Sequence, residues 1–116
     1  MKLLISYDGS EPSIRAMEKA HQLTADCGVH EVTIIHVYRE NYWVHLGDGY
    51  APSPEMLRKL EDYERSQIDD KKEQIQELAK MFDDTEAVVD IKMVHGHPAR
   101  VITKVAEEGK YDLILM

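Results

Sequence analysis

The side chains able to do chemistry gather first near the N-terminus, where Ser6-Tyr7-Asp8-Gly9-Ser10 closes a short apolar run and Pro12 and Ser13 follow. A carboxylate, hydroxyls and a helix start in that order look like the first half of a nucleotide site. In open α/β sheets, ligands sit outside the carboxyl ends of the strands, where turn backbone and helix N-termini converge on them. Asp8 falls at that spot. Asp-Gly also closes tight turns on its own account, and Ser10 and Ser13 suit helix capping. The remaining candidates are scattered. His36, His45, His95 and His97 lack a metal-diagnostic spacing and a pattern of acidic partners. No Ser-His-Asp, paired-carboxylate or Cys-His order points to catalysis, and Gly47-Asp48-Gly49 lacks the lysine of a P-loop.

The elements that must position Asp8 can be read from periodicity. Residues 3 to 5 are uninterruptedly apolar and residues 32 to 38 nearly so, the pattern of interior strands covered on both faces. Between them Ile14, Met17, Ala20, Leu23 and Cys27 recur at helical spacing, with Pro12 in the first turn and Gly28 just past the end. This is a right-handed βαβ unit. Cys27 and the methionines sit at positions that fill a core. A second, highly charged helix is expected over residues 54 to 82, about 40 Å long, so part of it must overhang the sheet. The overhang is assigned to residues 61 to 73, a solvated face or a docking surface for a partner. Val89, Ile91, Met93 and His95 then alternate with Val88, Asp90, Lys92 and Val94, which reads as an edge strand. A third helix starts at Pro98, carries Val101, Ile102, Val105 and Ala106, and stops at Gly109. Residues 113 to 116 form the last strand. The order βαβαβαβ indicates one α/β domain, residues 1 to 116, with a parallel sheet.

Composition narrows the partners. Fourteen basic against 22 acidic residues give a net charge of −8, which disfavours nucleic acid and anionic membranes but leaves local binding of a small anion open. No stretch approaches the ~20 apolar residues of a membrane span. With no secretory pattern at the N-terminus and Cys27 as the single cysteine, the expected location is cytoplasmic and a cysteine metal cluster is excluded.

Three segments together carry a resemblance: Ser6-Tyr7-Asp8-Gly9-Ser10 ending the first strand, Ile35-His36-Val37 ending the second, and Gly96-His97-Pro98-Ala99 leading through the third helix to Tyr111-Asp112-Leu113-Ile114-Leu115-Met116. In this order and spacing, the chain resembles the universal stress proteins over its whole length, within the adenine-nucleotide alpha-hydrolase-like group. The resemblance implies a Rossmann-like open parallel sheet, a homodimer or higher homo-oligomer, and in many members bound ATP or another adenine nucleotide. It also implies roles. Asp8 would face the base and ribose, with Ser6 and Tyr7 lining the same strand end. Val37 would offer backbone hydrogen bonds to the adenine edge, and Met116 would line the base pocket. Gly96 and His97 lie at another strand end, where they suit either helix initiation or approach to the site.

ATP-binding members of that family continue past the fourth strand with Gly-x-x-Gly and, further on, Gly-Ser or Gly-Thr, which wrap the phosphates. The 116 residues hold no such loop. The expected sheet order is therefore 3-2-1-4, with the fifth strand and last helix missing, and triphosphate must be completed by residues after Met116, by another chain, or not at all. The apolar residues 113 to 116 would then leave an open edge, expected to be an oligomerisation surface or a truncation boundary. The loop of residues 39 to 53 brings Tyr42, Trp43 and Tyr50, with Tyr38 at its start, to cover an adenine, a partner or the chain's own core. The first functional reading is a module that binds an adenine nucleotide (ATP or AMP) and dimerises in a stress response, with no more than slow incidental hydrolysis. The alternatives are an interaction protein without nucleotide, using the sheet edge and the Tyr/Trp loop, and, last, a small enzyme of the wider group.

Overall fold

Lys2–Ser6 (β1) and Glu31–Tyr38 (β2) form the two interior strands of a four-stranded parallel sheet in the computed structural model, which describes residues 1–38 and 53–116. Their apolar runs suit that place, because an interior parallel strand is covered on both faces. Val88–His95 (β3) pairs with β2 in register from Glu31↔Val88 to Tyr38↔His95, and Leu113–Leu115 (β4) pairs with β1 from Leu3↔Leu113 to Ile5↔Leu115. The order β3-β2-β1-β4 is the expected one, with β3 at an edge.

Glu11–Asp26 (α1) connects β1 to β2. Ser10 caps it, accepting from the Ser13 amide, and Cys27 and Gly28 end it, the glycine at φ +66°. Pro54–Ala79 (α2) follows, then a 3-10 turn, Lys80–Asp84. The expected single helix to residue 82 thus tightens before its end, a common way to finish a helix. The tightened turn sends Phe82 into the core at 2% exposure. Pro98–Gly109 (α3) connects β3 to β4. Its left-handed closing residue is Lys110, at φ +55°, rather than Gly109. Gly109 is needed for another reason: a Cβ there would overlap the ring of Tyr111.

Alternation along the strands gives the sheet two different faces. On one, Leu3, Ile5, Tyr7, Val32 and Ile34 pack against Ala16, Met17 and Ala20 of α1, Ile75 of α2 and Phe82. On the other, Leu4, Ile35 and Val37 pack against Ile102, Val101 and Val105 of α3. There the Tyr111 hydroxyl donates to Oγ1 of the buried Thr33 at 2.6 Å. No described helix is long and apolar enough to cross a membrane.

The part of α2 that leaves the body lies nearer its N-terminus than expected. Lys71 already reaches the end of β1, with its Nζ 2.8 Å from where a Cβ on Gly9 would stand, and Ile75 is fully buried. The expected overhang of residues 61–73 therefore ends sooner, before Lys71. The molecule is correspondingly long, 56 Å by 26 Å by 21 Å.

Candidate nucleotide site

After β1 the chain turns through Asp8 and Gly9, the latter at φ +88°, into Ser10 at the head of α1. Oδ1 of Asp8 accepts from the Ser10 amide at 2.9 Å and from the Ser10 hydroxyl at 2.5 Å. Ser13 Oγ in turn donates to the Ser10 carbonyl at 2.7 Å. These bonds, the Ser10 hydroxyl first, lower the Asp8 pKa below its ordinary value. Its carboxylate is an anion fixed in direction, exposed at the mouth of a cleft.

That cleft has a volume of about 430 Å³, inside the range of small-molecule sites. Ser6 and Asp8 form one wall, Ile114 and Met116 another, and Ala99 and Ile102 of α3 the third. It opens where the topology reverses. From β1 the chain runs outward to β2 and β3, then crosses back to place β4 on the other side of β1, so the β1/β4 crevice is the switch point of the sheet. The N-terminus of α3 borders it through Pro98 and Ala99; it has no side-chain cap and no acidic residue in its first turn. The cleft thus joins an acidic, hydroxyl-bearing wall to a helix start whose amides and dipole favour negative charge.

Of the expected site residues, Ser6, Asp8 and Met116 line this cleft. Tyr7 does not. Its neighbour-to-neighbour alternation turns the ring to the opposite face, into the α1/α2 core at 4% exposure, with the Lys71 ammonium 6.0 Å from the ring centre. Burial, then the charge of Asp8, raises the Tyr7 pKa. The Tyr7 carbonyl accepts from His36 Nδ1 at 2.8 Å, which ties the ends of β1 and β2 together.

Val37 is not a cleft-lining side chain either; it packs with Leu4, Ile35 and Ile102. Its backbone is placed differently. The Ile35 carbonyl accepts from the Tyr7 amide at 2.9 Å, and the β1–β2 pairing ends at Ser6↔Ile35. Strand backbone groups alternate sides, so Val37, two residues on, directs its amide and carbonyl toward the β1 side beyond the last paired residue.

Sequence reasoning missed Pro98, Ala99, Ile102, Thr103 and Ile114 as lining residues. Their signal was available: positions 98, 99, 102 and 103 share one side of a helix, and 114 and 116 share one side of a strand. Among the other candidates, the His95 ring lies 5.6 Å from that of Tyr38, and His97 is the N-cap of α3 without a capping bond. Among the described residues no group of three or more His, Cys, Asp or Glu could hold a metal ion. The aromatic residues Tyr42, Trp43 and Tyr50, with His45 and Gly47-Asp48-Gly49, lie outside the described residues.

The universal stress protein family model matches residues 1–116. Among solved structures, universal stress protein UspA from Lactobacillus plantarum aligns with a TM-score of 0.76 at 17% identity, covering 99% of this chain and 74% of that one. Hypothetical protein MJ0577 aligns with a TM-score of 0.77 at 22% identity, covering 99% and 72%. A universal stress protein in complex with cAMP aligns with a TM-score of 0.59 at 20% identity, covering 98% and 69%. No curated protein sequence matches the chain.

Proposed function

We propose that this chain, which belongs to the universal stress protein family, binds an adenine nucleotide in the cleft at the carboxyl ends of β1 and β4. The observation that carries the reading is Asp8: an aspartate fixed by Ser10 on the wall of a cleft at the switch point, beside an uncapped helix start. In this reading Asp8 accepts from the ribose hydroxyls, and the backbone of Val37 reads the adenine edge, which offers both a donor and acceptors. Ser6 and Met116 flank base and sugar. Tyr7 acts from behind, its buried ring holding the strand end at one height. The α3 start takes the negative end of the ligand, away from the Asp8 charge.

The function is binding rather than turnover. A carboxylate whose pKa is lowered by its hydrogen bonds is a weak general base near neutral pH, and the oxygen that accepts from Ser10 is already committed. Phosphoryl transfer would also need a positioned nucleophile and a cation on the phosphates; among the described residues that line the cleft there is no lysine, arginine or histidine. The solved relative in complex with cAMP makes cyclic and linear adenine nucleotides the natural panel.

Calorimetry of the chain with ATP, ADP, AMP and cAMP, against GMP as a base control, is the test. Binding of at least one adenine nucleotide is expected. Asp8→Ala should weaken it by roughly ten- to a hundredfold, the worth of a hydrogen bond to a charged group. No heat and no thermal shift with any of the four would overturn the reading.

A further inference from the structure

The outer edge of β3 is a part of the sheet that the nucleotide site does not use. Among the described residues β3 pairs with β2 alone, so one row of its backbone groups faces outward. Which row is fixed by the bonds at its two ends, where the Val88 amide donates to the His30 carbonyl and the Gly96 amide to the Tyr38 carbonyl. Backbone groups alternate along a strand, so Val89, Ile91 and Met93 direct theirs away from β2. The Ile91 amide agrees: it donates to the carboxylate of its own neighbour, Asp90, at 3.0 Å. Apolar cover is incomplete along the same edge. Val89, Ile91 and Met93 are only half-buried, and Val88 is 68% exposed.

Charge decides what fits this edge. Charged side chains ordinarily keep an edge from pairing, but Asp90 and Lys92 are opposite in sign and share one face of the strand. Two copies related by a twofold axis bring their strands together antiparallel, and the outward residues must then oppose one another. Two such registers pair seven of the eight strand residues, 89–95 in one and 88–94 in the other. The first is centred on Lys92 and sets that ammonium against its twin. The second is centred on Ile91, where Asp90 opposes Lys92 twice, Val89 opposes Met93, and the exposed Val88 opposes Val94. Asp90 and Lys92 then form the non-hydrogen-bonded pair, in which opposed side chains stand closest. We infer that β3 pairs antiparallel with β3 of a second copy of this chain about an axis at Ile91, joining two four-stranded sheets. On pairing, the Ile91 amide leaves Asp90 for the Ile91 carbonyl of the second copy, and the Asp90 carboxylate turns to Lys92 across the axis. Seven residues a side make less than a standard interface, so the dimer is a concentration-dependent one. This edge is separate from that of β4 and independent of the nucleotide reading.

The test is sedimentation of charge-reversed chains, alone and mixed. Asp90→Lys puts two lysines on the strand and Lys92→Asp puts two aspartates there, so each variant alone opposes like charges. Each should associate about tenfold more weakly than the parent, since two cross-strand pairs change sign at once. An equimolar mixture of the two should regain the parent's affinity as a mixed dimer, and so should the chain carrying both reversals. Far-UV circular dichroism checks that each variant keeps the fold. Hydrogen exchange read by NMR gives a second measure on the unaltered chain. Raising its concentration should slow the amides of Val89, Ile91 and Met93 and leave those of Asp90 and Lys92, which face β2, unchanged. An unaltered chain that stays monomeric at every concentration overturns the proposal, an outcome that includes an edge covered by the chain's own residues. Association indifferent to the reversals, a mixture no tighter than its parts, or protection of residues 113–116 in place of β3 overturns it equally.

Discussion

At residue scale, Asp8 and Ser10 are the pair on which the proposed site depends. The Ser10 hydroxyl and amide both bind the ionised carboxylate, so the folded chain holds Asp8 below 3.8, its ordinary value. A depressed carboxyl pKa contributes stability above the unfolded value, and that contribution is lost as pH falls through the folded one. Asp8 should therefore titrate below 3.8 by carbon NMR, and Ser10→Ala should return it toward that value. Asp8→Asn should lower stability at neutral pH, with the difference fading in acid below the ordinary range. A normal Asp8 titration would show that the Ser10 bonds do not hold in solution. Tyr111 makes a second prediction. Tyr111→Phe leaves Oγ1 of the buried Thr33 without its donor and should cost about 1 kcal/mol in urea unfolding. That Asp8, Ser6 and Met116 lie at one end of the sheet, where they line one cleft, was legible because a strand-end position can be counted along the chain. Tyr7 was not, since the pleat sends neighbouring residues to opposite faces and only the packed structure shows which face holds the cleft.

At the scale of elements, apolar runs and helix caps predicted the element order, and the errors lie where packing overrides local signals. Gly109 sat where a helix stop was expected, yet its use is the close approach of Tyr111, and Lys110 takes the left-handed turn. Gly109→Ala should thus force the Tyr111 ring outward and destabilise the fold by about 1 to 3 kcal/mol, the usual cost of overpacking. Paired with Tyr111→Ala, the same change should cost much less, because the ring it would strike is gone. Additive losses in that double-mutant cycle would refute the steric account. The placement of α2 shows the same limit. Its charge pattern announced an overhang, but which residues overhang is set by Ile75 in the core and Lys71 at Gly9, long-range contacts that periodicity does not contain.

Across the whole molecule, the two sheet faces divide the labour. Among the described residues, the face covered by α1, α2 and Phe82 holds the larger core, while α3 packs on the other with the cleft beside it. A ligand in that cleft would touch the head of α1, the head of α3 and the ends of β1 and β4 at once. It would bridge elements that the chain visits at its beginning and its end. Binding that favours the folded form adds stability by mass action, about 2.7 kcal/mol at a hundredfold excess over Kd, and that gain must appear where the bridge lies. Hydrogen exchange with saturating nucleotide should therefore slow in residues 6–13, 98–103 and 113–116, and remain unchanged along residues 54–70 and in β3. Protection confined to α2 or β3 would place the ligand elsewhere. Ala99→Leu separates site from scaffold, because the added bulk enters the cleft rather than the core. It should abolish the protection and the thermal shift together, while the melting temperature without ligand stays within a few degrees of the parent chain.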